Sequence, residues 1–304
     1  MADQKISIVE APLVYCVVLN WNGWQDTLAC LASLMLQDYP NLVVVVVDNC
    51  SQNDSVVKIK QNYPLIKLLE TKANLGFSGG NNVGIRLALE NDADYVWLLN
   101  NDTVAPPDTA TKLVTKALRE PRAGEVGTVL HHMNSPRTVQ AWGGAILFPW
   151  AFYRARLVTI PHEFGKNTAL MAASVLLRRE TLMQVGLLDE GFFMYYEDSD
   201  LSFRIYESGW TLAVAEDTAV LHKEGASLGA LSPVRVRYSI ASTLRFMHKH
   251  ARIPILMQGL FCVAVVFNKI RKREWIALKS VLAGIDDAWR SQYRANSNRV
   301  QERT

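Results

Sequence analysis

Three acidic residues fall within four positions in Glu197–Asp198–Ser199–Asp200, directly after the bulky Phe192, Phe193, Tyr195 and Tyr196. Acids at this density repel one another, and the positive end of a helix offsets part of that repulsion. The cluster therefore reads either as a capping patch on a solvated helix or as acids emerging from a packed aromatic wall. In the second case, a carboxylate would serve as a general base toward a hydroxyl. Another acid, Asp102, closes the triplet Asn100–Asn101–Asp102 behind the apolar run Tyr95 to Leu99. A carboxylate at a strand end can hold Mg²⁺ or Mn²⁺ and leave positions open for phosphate oxygens, although Asn and Asp are also common turn residues. His222 follows another apolar run, in Leu221–His222–Lys223–Glu224–Gly225, as a ligand or as a structural histidine. In Asn74–Leu75–Gly76–Phe77–Ser78–Gly79–Gly80–Asn81–Asn82, glycines open a helix whose bare N–H groups could approach an anion or a ribose. No Gly-Lys-Ser/Thr follows, so this is not a Walker loop, and it lacks the GxGxxG pattern.

The elements that must position these residues alternate between two periods. Val14–Leu19, Leu42–Val47, Ile66–Leu69 and Tyr95–Leu99 are short apolar runs. They alternate with helical patterns over Trp24–Leu36, the stretch to Asn62, Gly79–Glu90 and Asp108–Glu120, the last with Asp108 placed as N-cap. The unbroken β-branched run Leu42–Val47 predicts a strand covered on both faces. Strand–helix alternation predicts an α/β fold with a mostly parallel sheet, whose ligands bind beyond the carboxyl ends of the strands. Asn20–Trp21–Asn22, Asp48–Asn49 and Asn100–Asn101–Asp102 occupy three such ends. Beyond them, strands and long loops are expected over Val126–Leu177. Helices are expected over Arg179–Val185 and Glu197–Ser208, and strands over Trp210–Ala215 and Ala219–Leu221.

The 304 residues are 49% hydrophobic, which suits one large domain or two small ones. Cys16, Cys30, Cys50 and Cys262 form no CxxC pair and are expected as buried, reduced thiols. Met1–Glu10 carries no continuous apolar core of the kind a secretory signal has. Charge is asymmetric: residues 231–304 hold 14 basic against 4 acidic side chains, and the rest of the chain 18 against 25. Within that basic segment, Ile253–Phe267 is apolar but short for a membrane span, and Lys269, Arg271, Lys272 and Arg273 follow it. This pattern fits a helix lying on an anionic membrane surface, or a buried terminal helix with a charged end. The basic charges are not interleaved with stacking aromatics, so a nucleic-acid partner is not expected.

In order and spacing, VVLNWNGWQDTLACLASL, VVVDNCSQNDS, NLGFSGGNNVGIRLAL, YVWLLNNDT, VGLLDEGFFMYYEDSDLSFRIYESGW and VLHKEGAS resemble the family 2 glycosyltransferases, in the branch that includes bacterial rhamnosyltransferases. The resemblance runs from about Pro12 to Lys249. It implies a GT-A fold, mixed but mostly parallel, over residues 1–230. The nucleotide half would be about 12–125, the acceptor half about 126–230, and residues 231–304 a helical, basic extension. It implies an inverting transfer from a nucleotide-diphosphate sugar, with dTDP-rhamnose the first expectation and a UDP-hexose or UDP-galactofuranose the alternative. The implied acceptor is a lipid-linked or cell-surface glycan, at the cytoplasmic face of the membrane. By position, Asp48 would recognise the donor base. Asn20, Asn22, Asn74, Gly76, Gly79, Gly80, Asn81 and Asn101 would line the nucleotide pocket. Asp102 would bind metal and His222 would complete that site. Asp198 would be the catalytic base, with Glu197 and Asp200 shaping the acceptor pocket.

Asn100 stands where the family's DxD motif has its first acid, Ala172 where Gly is common, and Ala241–Ser242 where an Arg-Asn pair is common. The last change falls near the expected acceptor and diphosphate side. A nucleotidyltransferase would need a basic phosphate-gripping loop after the first strand, and Asn20–Trp21–Asn22–Gly23 has no Lys or Arg. A catalytically dead binding subunit would be expected to have lost Asp102, Asp198 or His222.

Overall fold

A computed structural model describes residues 11–147, 154–161, 163–223 and 232–301, with the side chains of residues 291–301 left out of the description. Met1–Glu10 and the end of the VLHKEGAS segment lie outside those residues. The chain begins with β1 (Val14–Asn20), α1 (Trp24–Leu34), β2 (Leu42–Asp48), α2 (Ser55–Asn62), β3 (Lys67–Glu70), α3 (Gly76–Glu90) and β4 (Tyr95–Asn100). It continues with β5 (Thr103–Val104), α4 (Thr109–Arg119), β6 (Ala123–His132), β7 (Ser135–Ala141), β8 (Gly143–Leu147), β9 (Arg154–Val158) and β10 (Thr168–Ala169). Then follow β11 (Ser174–Arg178), α5 (Arg179–Val185), α6 (Glu197–Glu207), β12 (Thr211–His222), α7 (Pro233–His250), α8 (Pro254–Arg271) and α9 (Trp275–Gln301).

Among the described residues, nine strands form one sheet in the order β3-β2-β1-β4-β11-β6-β12-β5, with β7 beside β6. The first four strands of the sheet are parallel: β1 pairs with β2 and β4, and β2 with β3. Strand β11 enters antiparallel between β4 and β6, which makes the whole sheet mixed. The two expected strands at residues 210–221 are one strand, β12, whose register against β6 shifts between Ala215 and Ala219. A small antiparallel sheet, β10-β8-β9, fills part of the expected loop region.

Alternation along the strands builds two cores. Val14, Cys16 and Val18 face one layer with Trp97, Leu99 and the apolar sides of α1 and α4; Tyr15 and Val17 face the other with Ile85 of α3 and Leu201 and Ile205 of α6. Val46 points into the first layer and Val45 and Val47 into the second, which is why Leu42–Val47 has no polar alternation. Cys16 and Cys30 are buried thiols as expected, whereas Cys50 and Cys262 are partly exposed. Asp108 sits at the N-cap of α4, but its side chain makes no cap hydrogen bond; it pairs with Lys112 at 2.8 Å instead.

The C-terminal helices pack on one another through Ile240, Leu244 and Met247 of α7 and Val281 and Ala288 of α9. They are also fastened to the preceding α/β body. Ser242 Oγ donates to Met194 O (2.7 Å), Arg245 and Lys249 pair with Asp189, and His250 bonds Asp200.

Candidate active site

The carboxyl ends of β1, β2 and β4 open into one cleft of about 570 Å³. Leu19, Asn49, Asn74, Gly76 and Phe77 line it, together with Asn100, Asn101, Asp102 and His222, and with Met171, Ala172, Glu197 and Asp198. Residues Phe193–Tyr195 and Val234, Arg235 and Tyr238 of α7 complete the wall. The basic extension thus contributes directly to the site.

Sheet register explains how Asp102 meets His222. The two-residue strand β5 pairs antiparallel with β12, placing Thr103 opposite His222. The Lys223 N–H then donates to the Asp102 carbonyl at 3.0 Å, and His222 Nε2 lies 3.3 Å from Asp102 Oδ1. His222 Nδ1 is 2.8 Å from Gln140 Oε1. With Nδ1 giving its proton to that oxygen, Nε2 turns a lone pair toward a carboxylate. Such an arrangement is relieved by a cation, or by a proton, between the two. Among the described residues, no group of three or more His, Cys, Asp or Glu side chains gathers for a metal. The donor set therefore fits a divalent ion held by two side chains, with the remaining positions left to phosphate oxygens.

Asp198, in the first turn of α6, lines the same cleft. Its carboxylate accepts from Ser199 N (2.6 Å), Ser199 Oγ (3.2 Å) and Ala172 N (3.4 Å). Burial nevertheless raises its proton affinity above the usual carboxylate range, against the lowering effect of those backbone donors. Raised affinity suits a group that must take a proton. Ala172, a departure from the family pattern, therefore supports Asp198 through its backbone. Ala241 and Ser242 line a separate cavity of about 260 Å³ that shares Phe193 and Tyr238 with the cleft.

The segment before α6 is strained. Tyr195 and Tyr196 are consecutive non-glycine residues in the left-handed region, with φ of 74° and 69°, each costing about 1–2 kcal/mol. Arg235 stacks over the Tyr195 ring at 5.8 Å, and Tyr196 packs on Phe246 at 5.4 Å, so α7 holds this conformation in place.

Several expected site residues stand behind the cleft. Asn20 is fully buried and donates to Asp48 Oδ1 (2.8 Å), while Asp48 accepts from Ser51 N and Oγ (2.9 and 2.6 Å). Asn22 accepts from Gln52 N at 2.8 Å. These three residues tie the loops after β1 and β2 together, and none of them lines the cleft. Asn49, buried but lining the cleft, donates to Asn74 Oδ1 (3.0 Å) and Gly76 O (2.9 Å).

The first donors of α3 already have protein partners, Gly76 N giving its proton to Asn74 Oδ1 at 2.9 Å. Phe77 N and Ser78 Oγ donate to the carbonyls of Phe193 and Phe192. At Gly76 (φ +71°) a Cβ would meet Phe193 O at 2.3 Å. Gly79 and Gly80 abut Leu75 and Leu19 respectively, and Asn81 bonds Phe77 O. Gly79, Gly80 and Asn81 serve close packing, leaving Asn74, Gly76 and Phe77 as the part of the segment that lines the cleft.

Asp200 also turns away from the cleft. It is fully buried and meets Arg204 (2.8 Å), His250 (2.8 Å) and Lys249 (2.6 Å). Burial alone would raise its pKa, but the His250 hydrogen bond and the Arg204 and Lys249 charges outweigh it, and the carboxyl stays ionised far below the usual range. Its role is to fasten α6 to α7. Residues that the sequence did not single out, Trp21, Phe193, Tyr195, Arg235 and Tyr238, do line the cleft. The aromatic wall before the acids was the one signal available for part of this set.

Comparison with known proteins places this geometry. The sequence model of glycosyl transferase family 2 matches residues 15–182. The chain is 31% identical over 224 residues to the N-acetylglucosaminyl-diphospho-decaprenol L-rhamnosyltransferase of Mycobacterium tuberculosis, an alignment covering 66% of this chain and 72% of that protein. It is 22% identical to the dTDP-rhamnosyl transferase RfbF of Shigella flexneri, over 80% and 82% of the two chains. In fold it resembles the mannosyltransferase PcManGT of Pyrobaculum calidifontis, solved with GDP-Man and Mn²⁺, with a TM-score of 0.60 at 18% identity over 99% and 84% of the chains.

Proposed function

The chain belongs to glycosyl transferase family 2, and on that premise we propose that it transfers rhamnose from dTDP-rhamnose to a hydroxyl of a lipid-linked or cell-surface glycan, with inversion at C1. One observation carries the reading: Asp198 and the Asp102–His222 pair line a single cleft. Asp198 takes the proton of the acceptor hydroxyl as the new C1–O bond forms. The bond from C1 to the diphosphate breaks on the opposite face, and the nucleoside diphosphate leaves with the electron pair. A positioned base contributes about 10²–10⁴-fold to such a step. Asp102 and His222 would hold a divalent ion, Mg²⁺ or Mn²⁺, which when bound neutralises charge on the departing diphosphate. No Ser or Cys nucleophile enters a single displacement; the buried Cys30 thiol, pushed up to about 12 by burial, is suited only to packing.

The choice of rhamnose rests on the two rhamnosyltransferase relatives. A UDP-galactofuranose donor is the second reading, favoured by 26% identity over 192 residues to the galactofuranosyltransferase GlfT1 of Mycobacterium tuberculosis, covering 60% of this chain and 61% of that one. An inactive scaffold is disfavoured because Asp102, Asp198 and His222 are all present and all line one cleft.

Helix α8 gives the protein its membrane surface in this reading. Leu256, Leu260, Val263, Phe267 and Ile270, at helical spacing, form one exposed apolar stripe, and Trp275 and Ile276 at the start of α9 are exposed as well. The opposite side, through Phe261, Cys262 and Val265, packs on α7 and α9. The helix is 18 residues long and apolar enough to cross a bilayer by length and composition alone. A helix already packed along one side on α7 and α9 fits better in the plane of the headgroups, where Lys269, Arg271, Lys272 and Arg273 meet anionic lipid at the inner face of the cytoplasmic membrane.

A donor titration followed by thermal unfolding tests the transferase reading, since a ligand of the folded state raises its stability. Stabilisation by dTDP-rhamnose that depends on Mg²⁺ or Mn²⁺ is expected. Stabilisation by UDP-galactofuranose alone would replace the sugar, and no shift with dTDP-, UDP- or GDP-sugars would contradict the reading.

A further inference from the structure

Arg235 brings an unpaired positive charge to a cleft whose other charged groups are acids. Among the described residues it is the only lysine or arginine lining the cleft, which Asp102, Glu197 and Asp198 also line. Other basic side chains of α7 are neutralised: Arg237 pairs with Asp287, Arg245 with Asp189, and Lys249 with Asp189 and Asp200. The half-buried Arg235 guanidinium has no such acid among the described residues; its contact is the face of the Tyr195 ring at 5.8 Å. A partly desolvated cation without a counter-charge is stabilised by an anion that enters the cleft.

Two features hold the charge in place. Ser232 Oγ accepts from the Arg235 backbone N–H at 3.1 Å, which caps α7 and fixes its first turn where Val234 also lines the cleft. The positive end of this 18-residue helix adds to the guanidinium there. Tyr195, held in the left-handed region with φ of 74°, supplies the ring beneath it. A guanidinium resting on an aromatic face has its plane set and keeps its N–H edge for phosphate oxygens.

We propose that Arg235 binds the donor phosphate that departs from the sugar and stabilises it as the bond to C1 breaks. The inference rests on the transferase reading above and adds a catalytic residue to it. When that bond breaks, its electron pair stays on the phosphate oxygen, which gains a negative charge. Arg235 remains protonated throughout, and the acceptor proton goes to Asp198. An interaction that strengthens as charge develops lowers the barrier more than it tightens the ground state. In a cleft that also holds the carboxyl groups of Asp102 and Asp198, a fixed cation of the chain offsets their repulsion of the departing group.

Calorimetric titration with nucleotides in excess Mg²⁺ tests this. The ligands are dTDP against dTMP and UDP against UMP, because the monophosphates lack the phosphate next to the sugar. Arg235→Met, which keeps apolar packing on Tyr195, should weaken diphosphate binding about 10–100-fold, as loss of a charged hydrogen bond implies. Monophosphate binding should stay close to that of the unsubstituted protein. Arg235→Gln should repeat this pattern. Arg235→Lys, which keeps the charge without the planar donors, should fall between. In transfer assays Arg235→Met should lower kcat and leave the acceptor KM unchanged. Unchanged diphosphate binding in Arg235→Met would overturn the proposal, and an equal loss for mono- and diphosphate would reduce Arg235 to a support for the Tyr195 loop. A rise confined to the KM of a diphospho-lipid acceptor would overturn it too, assigning the guanidinium to the acceptor's phosphate. An unsubstituted protein that binds none of these nucleotides would fail the transferase reading itself, before any variant is compared, and the diphosphate role would fall with it.

Discussion

His222 Nε2 stands 3.3 Å from Asp102 Oδ1, brought there by the pairing of β5 with the end of β12. Removing either side chain should abolish the metal dependence of donor stabilisation. Thermal shifts for Asp102→Ala and His222→Ala, with and without Mn²⁺, measure this directly. Gln140→Leu, which removes the oxygen facing His222 Nδ1, should weaken metal affinity by about 10–100-fold. Metal-dependent stabilisation that persists in both alanine variants would remove these residues from the metal site.

Much of this site was legible in the sequence because a parallel strand–helix alternation delivers every strand end to one edge of the sheet. That logic alone places Asn100–Asn101–Asp102 and Asn49 on the cleft. It fails where a side chain's partner comes from elsewhere. Gly79 and Gly80 read as ligand glycines, but what they approach is Leu75 and Leu19, and composition cannot separate the two cases. Asp200 reads as a member of an acidic cluster because nothing near it announces that Lys249 and His250 arrive from α7. Arg235 and Tyr238 are invisible for the same reason: a basic amphipathic helix looks alike whether it meets lipid or a cleft.

Asp200 should matter for stability more than for chemistry. Asp200→Asn leaves Arg204 and Lys249 without their buried counter-charge, and the loss is expected to be about 3 kcal/mol. Because its folded pKa is depressed, the carboxyl contributes stability above its unfolded pKa of about 3.9. That contribution is lost as pH falls below this value toward the folded pKa. Unfolding in denaturant between pH 7 and pH 3 should therefore show the gap between Asp200→Asn and the unsubstituted protein narrowing on acidification.

Glu125 carries the opposite sign. It is buried under α6, where Ser202 Oγ donates to it at 2.7 Å, and burial pushes its carboxyl up to about 8 despite that bond. The folded state then holds a proton that the unfolded chain releases near pH 4.3. Stability should fall as pH rises from there toward 8, by up to about 1.4 kcal/mol per unit. Glu125→Gln should flatten that slope and melt higher than the unsubstituted protein at pH 8. An unchanged slope would show that Glu125 stays ionised.

The exposed stripe on α8 should bind anionic lipid. Val263→Asp combined with Phe267→Asp places charge in the middle of it and should abolish co-sedimentation with phosphatidylglycerol vesicles. Replacing Lys269, Arg271, Lys272 and Arg273 with glutamine should weaken binding by about 1 kcal/mol for each charge. Equal binding to neutral vesicles, or a dimer that the aspartates dissociate, would assign the stripe to another partner.

The most direct test of the site is Asp198→Asn, assayed side by side for sugar transfer and for donor binding. The substitution keeps the shape of the carboxylate and removes its capacity to take a proton. Transfer should fall by at least about 10²-fold, with donor stabilisation within error of the unsubstituted protein. Transfer at the original rate would show that another group is the base and would contradict the mechanism at its centre.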